Sequence, residues 1–310
     1  MYRLGIDLGG TNIVAGLVDE EYRIVAKASC KTNVPRPESD ICDSMAEVAV
    51  KAVEKAGITM DEVESIGIGV PGAVNPKTGI IEYSANLFFH NWEVVRMMKE
   101  RLNKKVIIEN DANAAALGEY LAGSAKGAKN AVAITLGTGV GGGIIIDGKI
   151  LTGAKGSGGE IGHLHLVDDE PETCGCGNHG CFEMYASATG AVRLAKRLLA
   201  STTEDSVLRG KDFECRDIFD AAKSGDALAK KAAEQYGYYL GKGIAAVASV
   251  TNPEIIVLGG GVSKAGDMLF DLLMPSFKKY VFPGCADAKF ALAKLGNDAG
   301  VFGAAKLVID

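Results

Sequence analysis

The sequence predicts an α/β protein of two domains, and three observations carry that expectation. Apolar strand-like runs alternate with amphipathic helical stretches along the chain, which is the pattern of layered α/β folds. At 310 residues the chain is long enough for two separate cores. Two stretches also repeat one small device. Ile6-Asp7-Leu8-Gly9-Gly10-Thr11-Asn12 leads into an apolar run closing at Asp19, and Ile134-Thr135-Leu136-Gly137-Thr138-Gly139-Val140 leads into Ile144-Ile145-Ile146 and closes at Asp147. Each reads as a β-hairpin whose tip can bring backbone N–H groups and a hydroxyl against something bulky and negative. Two such tips in a duplicated frame suggest a pair of jaws on a phosphate chain.

Taken in order, residues 2–19 form the first hairpin, and residues 22–28 extend its sheet. Residues 39–57 read as a helix, with Ile41, Met45, Val48, Ala49, Ala52, Val53 and Ala56 on one face and Gly57 ending it. A buried strand at 65–70 stops at Pro71-Gly72, residues 92–102 look helical, and a strand at 106–109 runs straight into a helix at 112–121. The Gly/Ala/Lys segment 123–129 marks the neighbourhood of a domain boundary. The pattern then restarts with a strand at 131–136 and the second hairpin. Residues 153–162 are loop-like, residues 186–199 and 226–250 helical, and residues 254–258 a strand ending on Gly259-Gly260-Gly261. A last helix at 299–307 returns to the first domain. The expected division is therefore residues 1–118 with 297–310 against residues 119–296.

Composition narrows the function. A hydrophobic share of 47% and a charged share of 23% are those of a soluble globular protein. The net charge of −6, with no Lys/Arg-rich tract, argues against a general nucleic-acid binder. No apolar run approaches the roughly 20 residues that cross a bilayer, so no membrane partner is expected. The chain opens on a strand rather than a signal sequence. Seven cysteines, an odd count, then favour a reducing, cytoplasmic setting. Cys174, Cys176 and Cys181 cluster, while Cys30, Cys42, Cys215 and Cys285 are scattered and read as buried thiols.

Two familiar phosphate patterns fail on context. Gly137-Thr138-Gly139-Val140-Gly141-Gly142 fits G-x-G-x-x-G, but a dinucleotide fold needs a helix to start at those glycines, and a β-branched run follows instead. From Gly143 to Gly148-Lys149 a Walker A loop fits until Ile150 stands where the Mg2+-binding hydroxyl is required. What remains is a set of three Gly-rich turns. Asp7-Leu8-Gly9-Gly10-Thr11 with Asn12, Leu136-Gly137-Thr138-Gly139 and Gly259-Gly260-Gly261-Val262 resemble the phosphate-one, phosphate-two and adenosine segments of the sugar-kinase/actin ATPase superfamily. The resemblance implies an actin-like (ribonuclease H-like) fold with ATP in an interdomain cleft and Asp7 holding Mg2+ through water.

On the acceptor side, Glu109-Asn110-Asp111-Ala112-Asn113 sits where a strand ends and an Ala-rich helix begins. Asp111 or Asn113 can cap that helix. Asp111 can also accept the proton of an attacking hydroxyl, and the two roles are compatible. Further on, His163 precedes Cys174, Cys176 and Cys181 in the spacing H-x10-C-x-C-x4-C, four ligands for a closed tetrahedral zinc site. A redox pair is the alternative reading, although C-x-C is not the usual C-x-x-C. His165 or His179 could stand in for His163.

The run Glu160-Ile161-Gly162-His163 followed by Cys174-Gly175-Cys176-Gly177-Asn178-His179-Gly180-Cys181-Phe182-Glu183 resembles the hallmark of the ROK family of repressors, open reading frames and kinases. The resemblance covers essentially the whole chain. One departure is that ten residues separate His163 from Cys174, where many members have nine. Carried over, it implies that Asn110, Asp111, Glu160, His163 and Glu183 contact sugar hydroxyls, with Gly72 and Asn86 as weaker candidates. It implies a cytoplasmic ATP-dependent hexose kinase, most like a glucokinase, with Asp111 as catalytic base, structural Zn2+ and often a homodimer. Kinases for N-acetylmannosamine, fructose or allose, and polyphosphate as donor, are the neighbouring possibilities. A sugar-sensing repressor shares the same core but needs a helix-turn-helix ahead of it, and only six residues precede Asp7.

Overall fold

The computed structural model describes residues 1–84 and 87–307. It divides into two compact units: Met1–Lys129, Gly143–Gly159 and Lys294–Asp310 form the first, and Asn130–Gly142 with Glu160–Ala293 the second.

The first unit opens with β1 (Tyr2–Leu8), β2 (Asn12–Val18) and β3 (Ile24–Lys31), an antiparallel meander. Helix α1 (Glu38–Lys55) follows, and β4 (Val63–Val70) pairs parallel with β1. Three short strands, β5 (Ala73–Asn75), β6 (Ile80–Ser84) and β7 (Phe89–Trp92), make a separate antiparallel sheet. After α2 (Val94–Leu102), β8 (Lys105–Asn110) joins β4 in parallel and α3 (Asp111–Ala122) leaves it directly. The sheet order is β3-β2-β1-β4-β8.

The pattern then repeats. β9 (Ala131–Leu136), β10 (Val140–Ile146) and β11 (Lys149–Ile150) form a second meander. Helices α4 (Glu183–Ala186), α5 (Ala188–Ser201), α6 (Cys215–Lys223) and α7 (Ala227–Thr251) precede β12 (Ile255–Gly259). Helix α8 (Asp267–Tyr280), β13 (Lys289–Leu292) and α9 (Ala299–Lys306) close the chain. The second sheet runs β11-β10-β9-β12-β13, with β12 parallel to both β9 and β13. Both sheets thus share one strand order, the duplication that the two hairpin sequences announced.

The α/β class and both hairpins agree with the sequence. The boundaries differ. Residues 119–129 stay with the first unit because the buried Glu119 carboxylate accepts the backbone N–H groups of Ser124 (2.8 Å), Lys294 (3.2 Å) and Leu295 (2.8 Å). Residues 143–159 also group there, where Gly143 lies against Ala116. The helix expected over residues 92–102 starts two residues later, since Trp92 belongs to β7 and is fully buried. The helix expected over 186–199 is broken at Ser187, whose hydroxyl accepts the Gly190 N–H at 3.0 Å and caps α5.

Helix α9 packs on β1 and β4 at a distance that only glycine permits. A Cβ on Gly5 would come within 1.9 Å of the Val301 carbonyl oxygen, and one on Gly67 within 1.8 Å of that of Ala304. Beneath the other face lies a core of Ile6, Leu8, Ile13, Ile41, Met45 and Ile68. That packing holds β1, which carries Asp7, and β4, which pairs with β8 ahead of Asp111.

Candidate active site

In the first unit the β1–β2 tip is closed by the Gly9 N–H donating to Asn12 O at 2.9 Å. Thr32 pins it from the side, its hydroxyl donating to Gly9 O (2.6 Å) and its N–H to Thr11 O (2.9 Å). Thr11 and Asn12 stay exposed. Asp7, near the end of β1, has its carboxylate against the first turn of α9, 3.0 Å from where a Cβ on Gly300 would sit. Burial pushes the Asp7 carboxyl up to about 6.

At the β8–α3 junction the helix cap is Asn110, not Asp111 or Asn113. Asn110 Oδ1 accepts the N–H groups of Ala112 (2.9 Å) and Asn113 (3.2 Å), and Asn110 Nδ2 donates to Gly72 O at 3.1 Å. Asn113 turns inward instead, its Nδ2 donating to the buried Glu109 carboxylate at 3.0 Å. Glu109 Oε1 also accepts the Asn110 N–H at 2.9 Å, and burial raises the Glu109 carboxyl. Asp111 is thereby presented as the first residue of α3, its Oδ1 accepting the Ala112 N–H at 2.9 Å. Gly72 thus meets Asn110 through its carbonyl. Its φ of 112° and the Tyr83 carbonyl, 2.2 Å from a would-be Cβ, exclude any other residue. Asn86 lies outside the described residues.

In the second unit the β9–β10 tip is held by the start of α5. Gly137 N–H donates to Gly139 O (3.0 Å), Ala188 N–H to Gly137 O (2.8 Å), and the Thr189 hydroxyl to Thr138 O (2.7 Å). Thr138 lines a cavity of about 920 Å³ together with Gly261, Val262, Thr189, Phe213 and Cys215. Two Gly-rich turns far apart in sequence therefore open on one cavity. At Gly260, φ is 83° and a Cβ would meet the Leu136 backbone at 2.5 Å, so β12 can turn beside β9 only on glycine. Gly259 ends β12. Sequence reasoning passed over α6, which supplies Cys215, Phe219 and Lys223 to this cavity. Its signal was present: Cys215, Ile218, Phe219 and Ala222 repeat at helical spacing and are buried.

Beyond the tip, Val140 N–H donates to Glu183 Oε2 at 3.3 Å. A Cβ on Gly139 would fall 2.5 Å from that oxygen. Glu183 opens α4, and its Oε1 accepts the Cys174 thiol at 3.1 Å and lies 3.7 Å from His163 Nδ1. His163 Nε2 is 3.9 Å from Glu160 Oε2. The loop brings His163, Cys174, Cys176 and Cys181 together, their ligand atoms all within 4.8 Å of one another. His163 Nδ1 to Cys174 Sγ is 3.8 Å, and Cys176 Sγ to Cys181 Sγ is 3.6 Å. The other histidines point elsewhere. His165 faces Asp168 Oδ1 and His179 O, both at 3.0 Å, and His179 Nδ1 donates to Glu170 O at 2.9 Å.

Comparison with known proteins finds similarity in sequence and in fold over nearly the whole chain. The model of the ROK family matches residues 3–310. The glucokinase of Halalkalibacterium halodurans is 40% identical over 310 residues, covering 98% of this chain and 94% of its own. A ROK hexokinase from Thermus thermophilus superposes with a TM-score of 0.85 at 34% identity, over 98% of this chain and 97% of its own. A ROK family glucokinase from Streptomyces griseus, solved with glucose and AMPPNP, gives 0.81 at 37% identity over 99% of both chains.

Proposed function

Because the chain belongs to the ROK family, we propose that it transfers the γ-phosphoryl group of ATP to the 6-hydroxyl of glucose. The observation that carries this reading is the shared cavity of the second unit, where Thr138 of one Gly-rich turn and Gly261 of another line a space large enough for a nucleoside. The glucokinase relatives and the glucose–AMPPNP complex support the choice of substrates.

In this reading the adenosine enters beside Gly259, Gly260 and Gly261. The phosphate chain meets the turn of Gly137, Thr138 and Gly139 and the turn of Gly9, Gly10, Thr11 and Asn12, where the Gly9 and Gly137 N–H groups close the turns and the remaining backbone N–H groups face the phosphates. Asp7 would hold Mg2+, and the ion would neutralise the charge spreading over the phosphates. Asp111 accepts the proton of the sugar 6-hydroxyl as that oxygen attacks the phosphorus in line. Asn110, Glu160, His163 and Glu183 pair with the remaining hydroxyls, with Gly72 acting through its bond to Asn110 and Asn86 as a further candidate. A polar pocket of this kind rejects epimers, because each buried group left unpaired costs about 1–3 kcal/mol.

The Cys/His loop fits structural Zn2+. A tetrahedral site with Zn–S near 2.3 Å has ligand-to-ligand edges of roughly 3.3–3.8 Å; two of the pairs lie at 3.6 and 3.8 Å and all within 4.8 Å, a spread that metal binding would draw in. His163 would offer Nδ1 to the metal, leaving Nε2 on the side of Glu160. The ion would fix the loop rather than act on the sugar. Seven free thiols accord with a reducing, cytoplasmic setting, and among the described residues no helix is long and apolar enough to cross a membrane. A homodimer remains the expected assembly.

The test is a panel of hexoses in an assay coupling ADP release to each sugar. Glucose should give the highest kcat/KM. A preference for N-acetylmannosamine, fructose or allose, or turnover with polyphosphate alone, would overturn the assignment.

A further inference from the structure

Glu170 is a carboxylate that neither the zinc ligand set nor the sugar contacts account for. Its side chain is only 1% exposed, yet both oxygens are fully engaged. Arg197 of α5 approaches as a fork, Nη2 donating to Oε1 at 2.6 Å and Nη1 to Oε2 at 2.8 Å. The Glu172 N–H donates to Oε1 at 2.9 Å, and the Tyr185 hydroxyl donates to Oε2. One turn earlier on α5, Arg193 donates to Glu172 Oε2 at 3.0 Å and to the Met184 carbonyl at 2.7 Å. Helix α5 therefore grips two segments together. One, residues 170–172, leads into Cys174, and the other is α4, whose first residue is Glu183. The far limb of the loop is tied in as well, through His179 and the Glu170 carbonyl.

An exposed ion pair of this size would contribute little. This pair is bidentate and its carboxylate is buried, although Arg197 is 38% exposed, so it is removal of the arginine that would strand a charge away from water. The Arg197 pair and the Tyr185 bond hold the Glu170 carboxyl down at about 2. Tyr185 is the link that matters for chemistry. It stands two residues after Glu183 in α4, so where its hydroxyl lands helps set the direction of that short helix, alongside the Arg193 and Tyr236 bonds to the Met184 and Ala186 carbonyls.

We propose that the Glu170–Arg197 pair, acting through Tyr185, is a positioning device of the acceptor site that sets where the Glu183 carboxylate meets the sugar, independently of the metal. It rests on the reading that Glu183 contacts the hexose. The test uses Glu170→Gln and the milder Tyr185→Phe in the full chain, each assayed for zinc content, glucose KM and ATP KM. The expected result is wild-type zinc stoichiometry, an unchanged ATP KM and a glucose KM raised about tenfold, the scale typical of residues that orient a ligand. A merely structural role would lower Tm and leave the glucose KM where it was, which overturns the proposal. Loss of zinc from Tyr185→Phe would overturn it too, because the effect would then run through the metal. If Glu170→Gln does not fold, Tyr185→Phe decides alone. Wild-type turnover separates the two levels. An enzyme inert toward glucose fails the kinase reading, whereas an active enzyme with unshifted variants fails only the positioning claim.

Discussion

Asp7 is held in a state that works against the fold. Its carboxyl titrates near 6 in the folded chain against 3.8 as an unperturbed group, so the folded form binds the proton more tightly than the unfolded one. Stability from this group is greatest below pH 3.8 and falls as pH rises through about 6. Asp7→Asn removes that loss. At pH 7.5 it should stabilise the protein by about 1–3 kcal/mol, read as a raised Tm, while kcat falls at least about a hundredfold. Wild-type activity should also weaken as pH drops through about 6, where protons compete with Mg2+ for the carboxylate. A variant with unchanged Tm and normal turnover would contradict both roles. Asp111→Asn tests the proton acceptor separately. Turnover should fall by about a thousandfold or more, with glucose binding in calorimetry preserved to within a few-fold.

At the scale of elements, close packing of α9 gives the sharpest mechanical expectation. Gly67→Ala drives a methyl group into the Ala304 carbonyl, and overpacking of that kind should lower stability by about 1–3 kcal/mol in urea unfolding. The Cys/His loop offers another test. Cys176→Ala should lose bound zinc and glucose phosphorylation together, and a metal-free variant with full activity would reject a structural metal. The loop tether adds a pH signature. Glu170, lowered to about 2 from 4.5, stabilises the fold above pH 4.5 and loses that contribution as pH falls toward 2. The stability gap between wild type and Glu170→Gln should therefore close over that interval.

Element by element, the hairpins and the long helices were legible because their signals are local. Buried strands such as β9 are continuous apolar runs, and α1 and α7 keep one apolar face over many turns. The sheet of β5 to β7 was not legible, since strands of three to five residues such as Phe89-His90-Asn91-Trp92 carry no period long enough to read. The cap of α3 was misplaced for a similar reason. Glu109-Asn110-Asp111-Ala112-Asn113 offers three residues with cap chemistry, and only the extended backbone of Asn110, with φ −59° and ψ 145°, decides among them. Of the three possible histidines, the one beside the cysteines is chosen by loop geometry that spacing does not encode.

In the molecule as a whole, one five-strand order appears twice, β3-β2-β1-β4-β8 and β11-β10-β9-β12-β13. Each copy places its Gly/Thr tip between its first two strands, which is why two short sequence stretches foretold the architecture. Residues that line the cavity of the second unit come from α5, α6 and the turn after β12, so their convergence is a property of the folded unit and not of any one segment. The most direct test is a crystal structure with a non-hydrolysable ATP analogue, Mg2+ and glucose. The triphosphate should lie on the backbone N–H groups of both Gly/Thr tips, with the 6-hydroxyl within hydrogen-bond reach of Asp111. A nucleotide bound away from either tip, or a glucose whose 6-hydroxyl faces another residue, would contradict the mechanism.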